Sequence, residues 1–464
     1  MKVIEIKTFT NKTSIIFTCI FCGLLFYLDS FAQNQIIPSS PKPSTLQPPE
    51  IIRNEHPNIH KLPYYRPGIS IQEQNNQYIM EEVEQHQRQM MMKQNQVQET
   101  FEYFEPRQEI NMNVCKTEIP LPDFSSQPGT EYFQNAFNEI NKMLSGEVPI
   151  SLKDAVFLAE NAYLGNRMSY TDYNNKIKEK ADLCRAKIWE FDLNPNNNEV
   201  KNMMLFHYMT DTFKLKLTSS ENTLINYPVK YDFDDFAGRK DITKQFVTKL
   251  MAENSGQCGN MPMFYLIMAE ELGTEAYLSR SPNHTFIKIK DNDGYWHNLE
   301  LTIGAIINDN HYLSSGFIKA EALRNKIYLE PLTQQETLAL IMHNLASYYV
   351  RKYGYDDFVK QCTDSALKYH SNSLSALMLQ ANYHTSRAMY VIERTGATSM
   401  KQLSECPQAY GLYQKMHQSY KIMDDLGYEE MPPEIYMDWL ESVNKEKEKP
   451  ENQLNNFPLK QIIK

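Results

Sequence analysis

The sequence predicts an α+β protein: helices and a small antiparallel β-sheet in one domain, followed by an all-α domain of helix hairpins. Three observations carry this. From about residue 128 onward, apolar residues recur at helical spacing over most of the chain. One segment breaks that period: residues 285–290 and 295–302 alternate, with Asp291-Asn292-Asp293-Gly294 between them, which is a β-hairpin signature. Only 16 Gly occur in 464 residues, fewer than the roughly 7% of an average chain, which argues against a glycine-rich barrel, a propeller or a collagen-like chain.

The charge balance excludes one function class. Lys+Arg 47 against Asp+Glu 57 gives a net charge of -10, so the basic footprint of a DNA or RNA binder is missing. The seven Cys are too few for a disulfide scaffold, and no C-x-x-C pair reads as a zinc site.

Elements follow in chain order. Lys2, Lys7 and Lys12, an apolar run over 15–28 and Ser30-Phe31-Ala32 read as a secretory signal peptide cleaved before Gln33. An uncleaved anchor is the competing reading, but the run is shorter than the roughly 17–25 residues a spanning helix needs. The chain is therefore expected to be exported, to a bacterial periplasm or cell surface, with no transmembrane segment left after cleavage. Residues 33–127 read as a disordered linker, Pro-rich to residue 67 and Gln/Asn/Glu-rich over 72–98. Phe133, Phe137, Ile140 and Leu144 mark the first helix, and Ser151-x-x-Asp154 resembles a capping box opening the second over 155–164. Further helical patterns run over 170–189, 199–213 and 241–251, the last ending at Asn254-Ser255-Gly256. Met261, Phe264, Tyr265, Met268 and Leu272 form another stripe, closed by Gly273. The hairpin completes a domain expected over 128–330.

Beyond Pro331, patterns over 334–353, 356–369, 374–392 and 408–426 make two helix pairs, placed in a second domain over 331–445, with a charged tail over 446–464. Ala346 and Ala381 lie 35 residues apart in related contexts, close to the 34-residue period of tetratricopeptide repeats. A plain helical bundle predicts the same small residues at its crossings.

The chemistry concentrates in Gly256-Gln257-Cys258-Gly259-Asn260, Asn283-His284-Thr285-Phe286 and Trp296-His297-Asn298-Leu299-Glu300-Leu301-Thr302. A Cys stands just ahead of a helix, a His opens one strand, and a carboxylate sits on the next. A thiol at a helix N-terminus feels the positive end of the dipole, which favours thiolate. Register tests the other two. With a three-residue hairpin loop over 291–293 or 292–294, His284 shares a face with Glu300, directly opposite or one diagonal away. A two-residue loop puts them on opposite faces. His297 faces the other way and is expected to be inert.

Each residue has a plainer role. Cys258 would serve as a small buried filler, Glu300 as a surface carboxylate, and Gln257, a candidate oxyanion donor, as turn chemistry. Without the leader the chain keeps five Cys, an odd number that leaves at least one thiol unpaired within the monomer in an oxidising compartment. Cys184, Cys362 and Cys406 are assigned to core or disulfide.

A Cys opening a helix after a Gly-containing turn, a strand beginning with His, and a second strand reading Trp-x-x-x-acid-x-Thr resemble the core of the transglutaminase-like superfamily of papain-type cysteine enzymes. With helices after that core, the layout is similar to bacterial SirB1-like proteins carrying a tetratricopeptide-like region. The resemblance covers residues 241–302. It implies Cys258 as nucleophile, His284 as general base and acid, and Glu300 as orienting carboxylate, acting on an amide or peptide without cofactor or metal. Glu stands where Asp is usual and Leu301 where Pro is usual, so Asn298 on the same face is an alternative third member. A reading from another class keeps the core inert and makes the chain an extracytoplasmic scaffold, whose C-terminal helices bind a protein partner.

Overall fold

The computed structural model describes residues 115–441 except 217–222, 234, 236–237, 314–316, 398, 433–434, 437 and 440. The expected leader, the linker up to residue 114 and the tail over 446–464 lie outside the described residues. By their contacts the described residues form two units, 119–391 with 411–441, and 115–118 with 392–410.

In the larger unit, α1 (Thr130–Ser145) buries Phe133, Phe137, Ile140 and Leu144, the stripe that predicts it. The next three helices start where a side chain satisfies an orphan N–H. Ser151 accepts from Asp154 N before α2 (Leu152–Tyr163), Ser169 from Asp172 N before α3 (Tyr170–Glu190), and Asn197 from Val200 N before α4 (Asn198–Thr210). The sequence extends this last helix to Phe213, but Phe213 and Leu215 are buried between exposed Lys214 and Lys216. That local period of two makes β1 (Phe213–Lys216), antiparallel to β2 (Thr223–Asn226). Next come β3 (Lys230–Tyr231), a 3-10 turn (Ile242–Gln245) and α5 (Val247–Glu253), in place of the single helix expected over 241–251. Phe246, extended with ψ 136°, separates the turn from the helix, and Asn254 in the left-handed region (φ 51°) ends α5.

A two-residue β4 (Ser255–Gly256), parallel to β3, leads into α6 (Asn260–Leu272). Its stripe predicts one apolar face, yet every residue from Asn260 to Ala269 is buried. It packs on α2, α3, α4 and α5, and on the sheet that follows. A helix enclosed on all sides buries its polar ends as well, and Tyr265 donates to Asn202 O at 2.9 Å. The sheet is an antiparallel meander in the order β5 (Tyr277–Ser281), β6 (His284–Lys290), β7 (Trp296–Glu300), β8 (Ala305–Ile307). The expected hairpin supplies its two central strands. The edge strands were not foreseen, being three and five residues long.

Two short helices, α7 (Asp309–Leu313) and α8 (Ala320–Arg324), precede α9 (Gln334–Lys352), which Thr333 and Glu336 open with a reciprocal capping box. Then follow α10 (Asp357–Tyr369), α11 (Leu374–Thr395), α12 (Met400–Ser404) and α13 (Pro407–Asp425). Helix α9, which the sequence places in a separate domain, packs on α1 and α2 as well as α10. Tyr349 meets Phe133 edge-on, with centroids 5.4 Å apart. The end of the expected linker joins the same unit, since Phe124 N donates to Asp356 Oδ2 at 3.0 Å.

In the smaller unit a disulfide joins Cys115 to Cys406, 291 residues apart in sequence. Ser399 caps α12 by accepting from Gln402 N, and Leu403 and Cys406 are buried. Cys184, Cys258 and Cys362 are free thiols, and Cys184 and Cys362 are buried. Among the described residues no helix is long and apolar enough to cross a membrane.

Candidate active site

Cys258 stands one residue before the N-cap of α6, in a turn that Asn260 clamps. The Asn260 Oδ1 accepts from Gln257 N at 2.7 Å, while its Nδ2 donates to Lys244 O and Phe246 O. The Thr285 hydroxyl on β6 donates to the Cys258 carbonyl, tying this turn to the sheet. The thiol itself donates to Asn283 O at 3.8 Å.

The hairpin has the three-residue loop 292–294, with Gly294 in the left-handed region (φ 88°) that suits a Gly bulge. Ile287 pairs with Leu299 and Lys288 with Asn298. Continued outward, that register sets Phe286 opposite Glu300, so His284 and Glu300 share a face one diagonal apart. Their side chains meet, His284 Nε2 lying 2.7 Å from Glu300 Oε2, with both side chains 1% exposed. Glu300 is held from two more directions. Tyr312 donates to Oε2 at 2.9 Å and Thr302 N to Oε1 at 3.0 Å. Tyr312 also stacks on Phe286, with centroids 4.1 Å apart. The longer Glu side chain therefore reaches the imidazole while anchored at both oxygens.

The other imidazole nitrogen faces the Cys258 sulfur and a phenol. His284 Nδ1 lies 3.1 Å from Tyr436 OH, and the Cys258 thiol is hydrogen-bonded to both His284 and Tyr436. The Trp439 ring meets the imidazole edge-on at 5.0 Å, and Asn283 Nδ2 donates to Met431 O at 2.8 Å. Cys258, Tyr231 and Trp439 thus pack against the buried pair Met431 and Tyr436. The sequence reading missed Tyr436, Tyr312 and Trp439. Tyr436 lies 152 residues from His284, beyond any local pattern.

The electrostatics favour an ion pair. Burial alone would raise the Cys258 thiol, but the hydrogen bond and charge of His284, with the hydrogen bond from Tyr436, hold it below its ordinary value. Burial would lower His284, yet the Glu300 charge and the hydrogen bonds to Cys258 and Glu300 push it up to about 10. Burial would raise Glu300, and the His284 charge holds it down instead.

Two other candidates are placed elsewhere. Asn298 shares the strand face, but its Nδ2 donates to Asp309 Oδ1 at 2.9 Å, beside the Lys288–Asp309 ion pair, and not to His284. Gln257 is buried and its Nε2 donates to Asp235 O at 2.9 Å, so one amide N–H holds a loop; its buried Oε1 has no hydrogen-bond partner among the described residues. His297, the expected bystander, pairs with Asp291 at 2.7 Å at the end of the hairpin.

Cys258, His284 and Gln257 open onto a cavity of about 360 Å³ walled by α2, α9, α11 and β5, a size usual for small-ligand sites. No family model matches the chain, and comparison with curated proteins and with solved structures finds no match.

Proposed function

We propose that the chain is an exported cysteine enzyme of transglutaminase-like type, transferring or hydrolysing the acyl group of an amide or peptide through Cys258, His284 and Glu300. The observation that supports it is the continuous chain of contacts from a depressed thiol through a raised imidazole to a carboxylate fixed at both oxygens. In this reading the Cys258 thiolate attacks the carbonyl carbon and forms a thioester as the C–N bond breaks. His284 gives its proton to the leaving amine. Water or a second amine then attacks the thioester, His284 takes the proton from that nucleophile, and the thiolate leaves. Glu300 keeps Nε2 of the imidazole occupied, so proton traffic passes through Nδ1. No cofactor enters this scheme.

The test is thiol reactivity in the full chain. Iodoacetamide at about pH 6 should carboxamidomethylate Cys258 at least tenfold faster than an unfolded peptide thiol, and His284→Ala should remove that advantage. Labelling no faster than the peptide, unchanged in His284→Ala, would sink the enzyme reading. One observation favours a non-catalytic scaffold bearing a transglutaminase-like core and tetratricopeptide-like helices: Tyr436 and Trp439 lie directly against the imidazole. Partner binding that persists in Cys258→Ala, with no acyl transfer in either form, would favour that second reading.

A further inference from the structure

The cavity beside Cys258 contains a cation that nothing described in the protein neutralises. Arg280 on β5 lines it. In the β5–β6 register Arg280 stands opposite Thr285, the residue whose hydroxyl holds the Cys258 carbonyl. Cross-strand partners have Cβ atoms roughly 5 Å apart, so the Arg280 side chain leaves the sheet beside Thr285, and its guanidinium reaches across the cavity wall to α11. Its Nη2 donates to Ser375 Oγ at 2.6 Å, and its Nε is buried without a hydrogen-bond partner among the described residues. Among the described residues no carboxylate forms an ion pair with it.

The other titratable groups on the cavity wall do not supply the missing charge. Glu160, on α2, spends its carboxylate on Val247 N (2.7 Å) and Thr248 N (3.0 Å). His343, on α9, is pushed down to about 4, first by burial and further by the Arg280 charge, so it is neutral at pH 7. Arg351 uses its Nη2 on the carbonyls of Gly238 and Arg239. A guanidinium stays charged at any ordinary pH and binds a carboxylate through two parallel N–H bonds. A half-buried one bonded only to a hydroxyl therefore has donors left for an anion.

We propose that Arg280 is the specificity residue of this cavity, taking an amide or peptide whose acyl portion carries a carboxylate. This rests on the proposed acyl-transfer site and adds its substrate class. The carboxylate belongs either to an acidic side chain or to a chain terminus.

Binding and labelling separate this inference from the reading beneath it. In full-length Cys258→Ser protein, calorimetry would compare three probes: N-acetylglutamate α-methylamide (side-chain carboxylate), N-acetylglutamine (terminal carboxylate) and N-acetylglutamine methylamide (neutral). At least one acidic probe should bind ten times tighter than the neutral one, and the preference should vanish in Arg280→Gln and return in part in Arg280→Lys, which also controls for folding. The stronger of the two acidic probes identifies the source of the carboxylate. Equal binding of all three, binding of none, or a preference unchanged in Arg280→Gln overturns the proposal. A second measurement uses Cys258 as it is: the ratio of iodoacetate to iodoacetamide labelling should fall about tenfold in Arg280→Gln. Fast labelling by both reagents with an unchanged ratio defeats the anion site alone, while slow labelling by both defeats the enzyme reading.

Discussion

Tyr436 sets its hydroxyl 3.1 Å from His284 Nδ1, on the side of the ring opposite Glu300. The imidazole is therefore fixed at both nitrogens, and the phenol shares its hydrogen-bonding space with the Cys258 thiol. Tyr436→Phe keeps the ring packed and removes one donor to the thiolate. A hydrogen bond contributes about 0.5–1.5 kcal/mol, or up to roughly one pK unit. The midpoint of the iodoacetamide rate profile for Cys258 should move up by about that much, and an unmoved midpoint would show that the phenol only fills space.

The ion pair predicts the shape of the whole profile. With the thiol depressed and His284 raised to about 10, thiolate and imidazolium coexist between those two values. Labelling should rise at a lower pH than for an ordinary thiol and then stay level until His284 loses its proton near pH 10. Glu300→Gln removes the charge that raises His284, so the imidazole pKa falls and the window narrows from its alkaline side. Titrating His284 by NMR in both proteins measures this directly.

Stability carries the matching sign. A His whose folded pKa lies above the unfolded value stabilises the fold fully below about 6.5 and loses that contribution as pH rises through about 10. The gap in denaturant midpoint between the natural chain and His284→Gln should thus shrink from pH 6 to pH 10.5. A constant gap would refute the raised value.

Glu160 should behave in a way unusual for a carboxylate. Burial raises it to about 7, against the hydrogen bonds from Thr248 and Val247 that favour its charged form. Its protonated form is preferred in the folded state, so its contribution is best below about 4.5 and falls as pH rises through about 7. The shift corresponds to roughly 3 kcal/mol. Glu160→Gln should be less stable than the natural chain at pH 5 and recover relative to it by pH 8, as read from paired urea melts.

Two glycines near Cys258 should respond unequally to the same change. A Cβ on Gly256 would meet Leu250 Cδ1 at 2.5 Å, Asn260 Oδ1 at 2.8 Å and Met261 Cγ at 2.9 Å, whereas one on Gly259 meets nothing within 4 Å. Gly256→Ala should cost about 1–3 kcal/mol through overpacking and slow Cys258 labelling by disturbing the Asn260 clamp. Gly259→Ala, at a right-handed N-cap position, should leave thermal stability within about 1 kcal/mol.

The helices were legible because their information is local. Caps at Ser151 and Gly273 and the stripe of α1 stand where the sequence put them. The helix expected over 241–251 broke at Phe246, and Phe213 left its helix for a strand, because packing decides between extended and helical states at such boundaries. Of the site, Cys258, His284 and Glu300 were readable, and Asn298 was not excluded, because strand parity fixes a face but not which neighbour on it a side chain reaches.

The sequence by itself determined the helical periods and the hairpin, consequences of short-range geometry, and it tied the shared face of His284 and Glu300 to a three-residue loop, which the structure places over 292–294. Only the tertiary structure decided what closes around them. It brought Tyr436 to Nδ1, Tyr312 to Glu300 and Arg280 into the cavity, and joined Cys115 to Cys406 across 291 residues. Contacts between distant segments are selected by which buried polar groups find partners once the core has closed, and no period in the chain encodes them.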